Sequence, residues 1–159
     1  MPSKPTVYIE TSVISYFAAK PSADLLSLAK QHLTTMWWER TLPKVNAHIS
    51  PFVLEELKAG DQEAANERMQ VCKMFPVLDE TPEITPLSRA YLVEMKLPER
   101  AEADAFHIAC ATVYQMNFLL TWNCSHIANA FVRRKIEDIN LRKGYETPVI
   151  CTPEELLEI

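Results

Sequence analysis

Glycine is nearly missing from this chain: two glycines stand among 159 residues, against 11 prolines. That excludes collagen-like and Gly-rich linker chains. It also excludes the GxGxxG and Walker loops, which need several glycines to bring backbone N–H groups onto phosphate. Classical dinucleotide binding and P-loop chemistry are therefore out. Long apolar runs are missing as well. No uninterrupted stretch approaches the ~18 residues of a membrane span, and the start, MPSKPTVYIETS, lacks the apolar core of a signal peptide. No membrane association is expected. Cysteine is sparse and scattered: Cys72, Cys110, Cys124 and Cys151 show no CxxC or CxxCH spacing, so neither a zinc knuckle nor a redox motif is indicated. They read as reduced, mostly buried thiols of a cytoplasmic protein. Positive charge is not in excess either. Lysine plus arginine total 16 and aspartate plus glutamate 21, a formal net charge of −5. A protein that coats nucleic acid by sheer basicity does not look like this. A local basic patch, or a metal bridging acid to phosphate, stays open.

What is present is an ordinary globular chain, with 48% apolar and 23% charged residues. Its length predicts a single domain over residues 1–159 that buries a proper core. The elements alternate. Thr6–Glu10 reads as a buried strand ending on an acid, with Thr11 and Ser12 capping a short helix to Ala19. Ser22–Arg40 carries Leu25, Leu28, Ala29, Leu33, Met36 and Trp37 at helical period, predicting an apolar face there. Asn46–Ser50 is a second short strand. Ser50-Pro51 signals a helix start, and the helix stops at Gly60. Asp61 caps a helix to about Met74, Pro76–Leu78 is a possible strand, and Thr85–Leu97 and Ala101–Met116 read as helices. Asn117–Thr121 is a buried strand, Ser125–Lys143 a long helix ending at Gly144, Pro148–Cys151 a last strand, and Thr152–Glu155 the cap of a terminal helix. Strands spaced by helices predict a three-layer α/β/α sandwich around a short parallel sheet of 4–5 strands. Ligands of such sheets bind beyond the carboxyl ends of the strands.

Acids gather at those ends. The first strand ends in Glu10, and the second leads into a helix with Glu55 and Glu56. Another helix opens with Glu102 and Asp104, and NFLLT runs into Thr121-Trp122-Asn123. Carboxylates gathered without basic partners repel one another and stay ionised together when a hard cation such as Mg²⁺ or Mn²⁺ neutralises them. Helix geometry, at ~100° per residue, does not choose between Glu55 and Glu56, and separates Glu102 from Asp104. Each acid has a plainer reading, as a cap or a partner of the helix dipole.

Together, YIETSVISYF, ISPFVLEELKAG, AEADAFHIACA and FLLTWNCSHIANA resemble the PIN domain, and more narrowly the VapC-type toxin ribonucleases of toxin–antitoxin pairs. The resemblance covers nearly the whole chain, in order. It implies an α/β/α fold and Mg²⁺- or Mn²⁺-dependent cleavage of an RNA substrate, with a cognate antitoxin as partner and a homodimer as assembly. The family's first acid falls on Glu10, where Asp is usual. Its second falls on Glu56 and its third on Asp104. The fourth position falls on Asn123, where an aspartate is often found, with His126 nearby. The resemblance thus implies that Glu10, Glu56 and Asp104 hold the metal and that Asn123 completes the catalytic set, through a metal-bound water or a substrate phosphate.

Other candidates surround this set. Thr11 and Ser12 follow Glu10 and can donate to its carboxylate, touch substrate or cap the helix. His107, three after Asp104, can orient that acid or lie in the core. His126 can approach the site or bond locally. Arg133 and Arg134, with Lys135, Arg142 and Lys143, form a basic cluster that contacts RNA phosphates or is a solvated helix face. Trp122 is the best-placed aromatic for stacking a base, while Trp37 and Trp38 read as partner-facing. Glu56 or Glu102 is the candidate general base. The contrasting reading is a catalytically weak or inactive PIN-fold module that binds RNA or a protein without turnover.

Overall fold

A computed structural model describes residues 2–158. Four short strands, β1 (Thr6–Ile9), β2 (Asn46–His48), β3 (Phe118–Leu120) and β4 (Val149–Cys151), form one parallel sheet in the order β2-β1-β3-β4. The register pairs Ile9 with Leu120, and Leu120 with Cys151. Val7, Tyr8 and Ile9 are fully buried, as expected for a central parallel strand covered on both faces. Pro76–Leu78, read as a possible strand, contributes one bridge, Ile49 to Val77.

Seven α-helices flank the sheet among the described residues: α1 (Thr11–Ala18), α2 (Leu25–Arg40), α3 (Pro51–Leu57), α4 (Gln62–Cys72), α5 (Ile84–Glu94), α6 (Glu102–Val113) and α7 (Ala130–Lys143). Helix α1 packs on α2 and α4, α5 packs on α6 and α7, and α3 touches both α1 and α6. Local chemistry sets the starts. Ser50 accepts from the Val53 N–H with Pro51 at the first helical position, and Asp61 accepts from the Ala64 N–H. Helix α7 stops at Gly144, whose φ of +80° is the left-handed cap that glycine adopts without strain.

Several sequence expectations are corrected. Thr11 and Ser12 do not cap α1; Glu10 does, accepting from the Ser12 N–H. The expected apolar face of α2 docks only in its second half: Leu25 and Leu28 are 79% and 43% exposed, while Leu33 packs on the core and Trp37 is buried together with Thr34. Trp37 is therefore a core residue, and Trp38 stacks on Phe17 at 3.8 Å. The helix expected from Ser125 starts at Ala130, because the Asn123 side chain captures the Ser125 and His126 N–H groups and folds them into a turn. The Thr152–Glu155 capping pair forms, yet among the described residues only a turn follows it.

Candidate active site

The parallel register places the first acid. Glu10 follows Ile9, and its N–H donates to the Leu120 carbonyl at 3.0 Å. Thr121, one residue past β3, therefore stands beside it, and its hydroxyl donates to Glu10 Oε1 at 3.0 Å. The Ser12 N–H donates to Glu10 Oε2 at 2.6 Å. Glu10 is 4% exposed. Burial pushes its pKa up from the usual carboxylate range, against the charge of His107 and the bonds from Ser12 and Thr121.

Helix α3 brings Glu56 to the same edge. The Thr11 hydroxyl donates to Glu56 Oε1 at 2.7 Å, and the same oxygen bonds His107 Nε2. Burial works against the Glu56 anion, but the His107 bond and charge, with the Thr11 bond, hold its pKa below the ordinary value. An ionised carboxylate only accepts, so His107 Nε2 carries a proton and donates to it. On the other side of the ring, Nδ1 lies 2.6 Å from the Tyr8 hydroxyl, which in turn lies 2.7 Å from Ser50 Oγ. Burial holds the Tyr8 phenol well above its usual value, so it keeps its proton. A buried relay, Ser50–Tyr8–His107–Glu56, thus fixes the second acid from behind. His107 was expected to orient Asp104 or to fill the core; it is buried, and the acid it orients is Glu56.

Asp104, in the first turn of α6, is held from the other side. Asn123 Nδ2 donates to its Oδ1 at 2.9 Å, and His126 Nδ1 lies 2.9 Å from its Oδ2. Burial raises the Asp104 pKa, the His126 bond and the charges of His126 and His107 lower it, and the Glu56 charge raises it. Glu56 and Asp104 therefore lie within each other's field. Asn123 Oδ1 is taken by the His126 and Ser125 N–H groups at 3.0 and 3.3 Å, and the Asn123 N–H donates to Thr121 Oγ1 at 2.9 Å. The amide thus acts as a bracket that supplies Asp104 with a donor, which an aspartate at this position would not do.

The remaining candidates divide. Ser12 Oγ accepts from the Trp122 N–H at 2.8 Å. Glu55 lies outside, paired with Lys58 at 3.2 Å, so the structure separates the two neighbours that helix spacing left open. Glu102 is exposed at the start of α6 and makes none of these contacts. Trp122 is corrected as a stacking candidate: it is 7% exposed and its indole N–H donates to Thr34 at 2.7 Å, so no face is left for a base. Arg133 is partly engaged at the sheet edge. Its guanidinium donates to the Ile150 carbonyl at 2.9 Å and lies 3.7 Å from Glu155. Arg134 remains exposed on α7. Tyr8, Ser50 and Thr121 were not singled out as functional. The available signal was a lone phenol in an otherwise apolar strand, since a buried tyrosine hydroxyl seeks a partner.

The donors of the edge are oxygens of Glu10, Glu56 and Asp104, and among the described residues no lysine or arginine pairs with them. That donor chemistry fits a hard divalent cation. Their positions are not those of a ready-made cage: among the described residues no three His, Cys, Asp or Glu side chains are grouped closely enough to hold a metal ion. Instead His107 and His126 each take a carboxylate oxygen that a cation would contact.

A short parallel sheet in the order 2-1-3-4, flanked by helices and edged with acids at its carboxyl ends, is PIN-like. Solved structures agree. The VapBC-1 structure from nontypeable Haemophilus influenzae matches over 93% of this chain and 98% of its own, with a TM-score of 0.59 at 13% identity. The structure of VapBC2 from Rickettsia felis bound to a DNA fragment from their promoter matches over 92% and 98%, with a TM-score of 0.56 at 15% identity. At such identities the likeness is one of fold. No protein-family model and no curated protein matches the sequence. Among the described residues no helix is long and apolar enough to cross a membrane.

Proposed function

We propose that this chain is a cytoplasmic, Mg²⁺- or Mn²⁺-dependent endoribonuclease, the toxin of a toxin–antitoxin pair, built as a single PIN-like domain over residues 1–159. The observation that carries this reading is the joining of Glu10, Glu56, Asp104 and Asn123, from four separate segments, into one hydrogen-bonded edge through Thr11 and Thr121. Glu10, Glu56 and Asp104 are the residues that would hold the cation. When bound, it supplies Lewis acidity toward a phosphodiester oxygen and toward the attacking water. Glu56 accepts the proton of that water, with the exposed Glu102 as the alternative base. Water adds to phosphorus in line and the 3′-oxygen departs with a solvent proton, leaving 5′-phosphate and 3′-hydroxyl ends. Thr11, Thr121 and the His107 relay keep the carboxylates in place, and Asn123 keeps Asp104 in place.

The partners follow from the same reading. The matched structures are VapBC complexes, and a cognate antitoxin is proposed for this chain. The exposed leucines of α2, Leu25 and Leu26 at 79% and 74%, offer a face for a homodimer or for that antitoxin.

The test is cleavage of RNA with Mn²⁺ or Mg²⁺, with and without EDTA, by the parent chain and by Glu10→Gln and Asp104→Asn. Metal-dependent products with 5′-phosphate ends, lost in both variants, are expected. Cleavage that survives EDTA, or survives either substitution, overturns the proposal. A second reading is favoured by one observation: imidazoles stand against two of the acids and an amide stands at the fourth position. On that reading the chain binds RNA or a partner without turnover, and the same assay then shows binding with no product.

A further inference from the structure

Some cationic side chains have partners: Lys44 pairs with Glu158, Lys58 with Glu55 and Arg142 with Glu94, while Arg68 donates to the Leu57 and Ala59 carbonyls. Others, such as Arg89 and Arg134, stand exposed. Lys30 is neither. It lies on α2, half-buried, and among the described residues it makes no ion pair within 4 Å. Its Nζ lies 5.7 Å from the centroid of the Trp122 ring and 5.9 Å from that of Tyr16. The nearby Asp24 feels its charge, but that carboxylate caps α2 on the Ser27 N–H.

The platform beneath the ammonium is rigid. The Trp122 indole N–H is fixed to Thr34, one turn along α2 from Lys30, and the Trp122 backbone N–H is fixed to Ser12. The Tyr16 ring meets Trp122 edge-on at 6.2 Å and 72°. Trp122 stands between Thr121, which holds Glu10, and Asn123, which holds Asp104. An ammonium resting on two rings is held electrostatically by their faces while its three N–H donors stay free for another partner. A cation with free donors, seated on the ring of the residue that separates the holder of Glu10 from the holder of Asp104, suits one group, a phosphate of a strand that runs on to the acids.

We propose that Lys30 is a phosphate subsite for single-stranded RNA, binding a non-scissile phosphate next to the acid edge. The proposal rests on the nuclease reading and deepens it. Trp122 and Tyr16 then serve the substrate indirectly, as the seat of the cation and not as base platforms.

The test is binding of a fluorescein-labelled single-stranded RNA oligonucleotide by anisotropy, across a salt series in EDTA, with the full chain. Lys30→Met keeps the aliphatic stem on the rings and removes the charge. It is expected to weaken binding about three- to tenfold at ~0.1 M salt and to reduce the slope of log K against log salt by about 0.7, the share of one phosphate contact on a single strand. Lys30→Arg restores both. Arg89→Ala, which removes a charge from an exposed position of α5, changes neither the affinity at fixed salt nor the slope by a comparable amount. With divalent cation present, Lys30→Met raises KM and leaves kcat in place. Equal affinity and slope in Lys30→Met and the parent overturn the Lys30 assignment, even where cleavage is intact. A parent chain that neither binds nor cuts RNA overturns the nuclease reading and this subsite with it.

Discussion

Replacing Tyr8 by phenylalanine removes a single oxygen from the centre of the sheet, and the structure fixes what that costs. The hydroxyl bonds Ser50 at 2.7 Å and His107 at 2.6 Å, and Tyr8, Ser50 and His107 are all at most 1% exposed. The substitution leaves His107 Nδ1 and the Ser50 hydroxyl each without the bond to the phenol, in a buried place. Ser50 Oγ still accepts from the Val53 N–H, so helix α3 keeps its cap. Each orphaned buried polar group costs about 1–3 kcal/mol, and the two together about 2–6 kcal/mol. For a domain of this length that lowers Tm by roughly 4–24 °C. Urea unfolding at about pH 7 measures it directly, with the midpoint moving and the m-value unchanged. The double variant Tyr8→Phe with Ser50→Ala removes both ends of one bond, so its loss falls short of the sum of the singles by about 1 kcal/mol. A Tyr8→Phe protein within about 0.5 kcal/mol of the parent refutes the relay, and with it the account of how Glu56 is held.

Glu10→Gln separates stability from activity. Burial raises the Glu10 pKa above the ordinary 4.5, so the fold favours its protonated form. The stability that this difference contributes is complete below the ordinary value and is lost as pH rises through the raised one. Glu10→Gln is expected to melt above the parent near neutral pH in EDTA, to converge with it in acid, and to have lost cleavage; equal melting at every pH contradicts this. Asn123→Asp replaces the donor to Asp104 with a second carboxylate. Loss of a bond to a charged group costs about 1.5–3 kcal/mol, so its Tm in EDTA falls, and Mn²⁺ raises it by more than it raises the parent's, as a thermal-shift assay reads. An unchanged Tm in EDTA means that Asn123 does not bracket Asp104.

Much of the architecture was legible in local punctuation. Ser50-Pro51, Asp61 and Gly144 mark helix ends because caps and left-handed turns are decided within a few residues. Glu10 stood out because it ends a strand, whereas Glu56 and Asp104 were singled out by the resemblance to the PIN domain and not by spacing. The α2 face was legible only in part: Leu33 and Trp37 dock, but Leu25 and Leu28 keep the helical period on an exposed stretch, and Thr34 is buried to serve Trp122. The relay was invisible because Tyr8 meets Ser50 and His107 across 42 and 99 residues, and no local pattern encodes a meeting at that range. Trp122 and Arg133 look free in sequence for the same reason: their partners lie 88 and 17 residues away.

The contact between Glu10 and Thr121 spans 111 residues. On a ribosome, the opening acid emerges long before the threonine that steadies it or the asparagine that braces Asp104. At ~5–20 residues per second the wait lasts ~5–20 s, throughout which the nascent chain carries only fragments of its anionic rim. A polypeptide arranged this way completes its acid edge only once Thr121 and Asn123 have left the machine that made it.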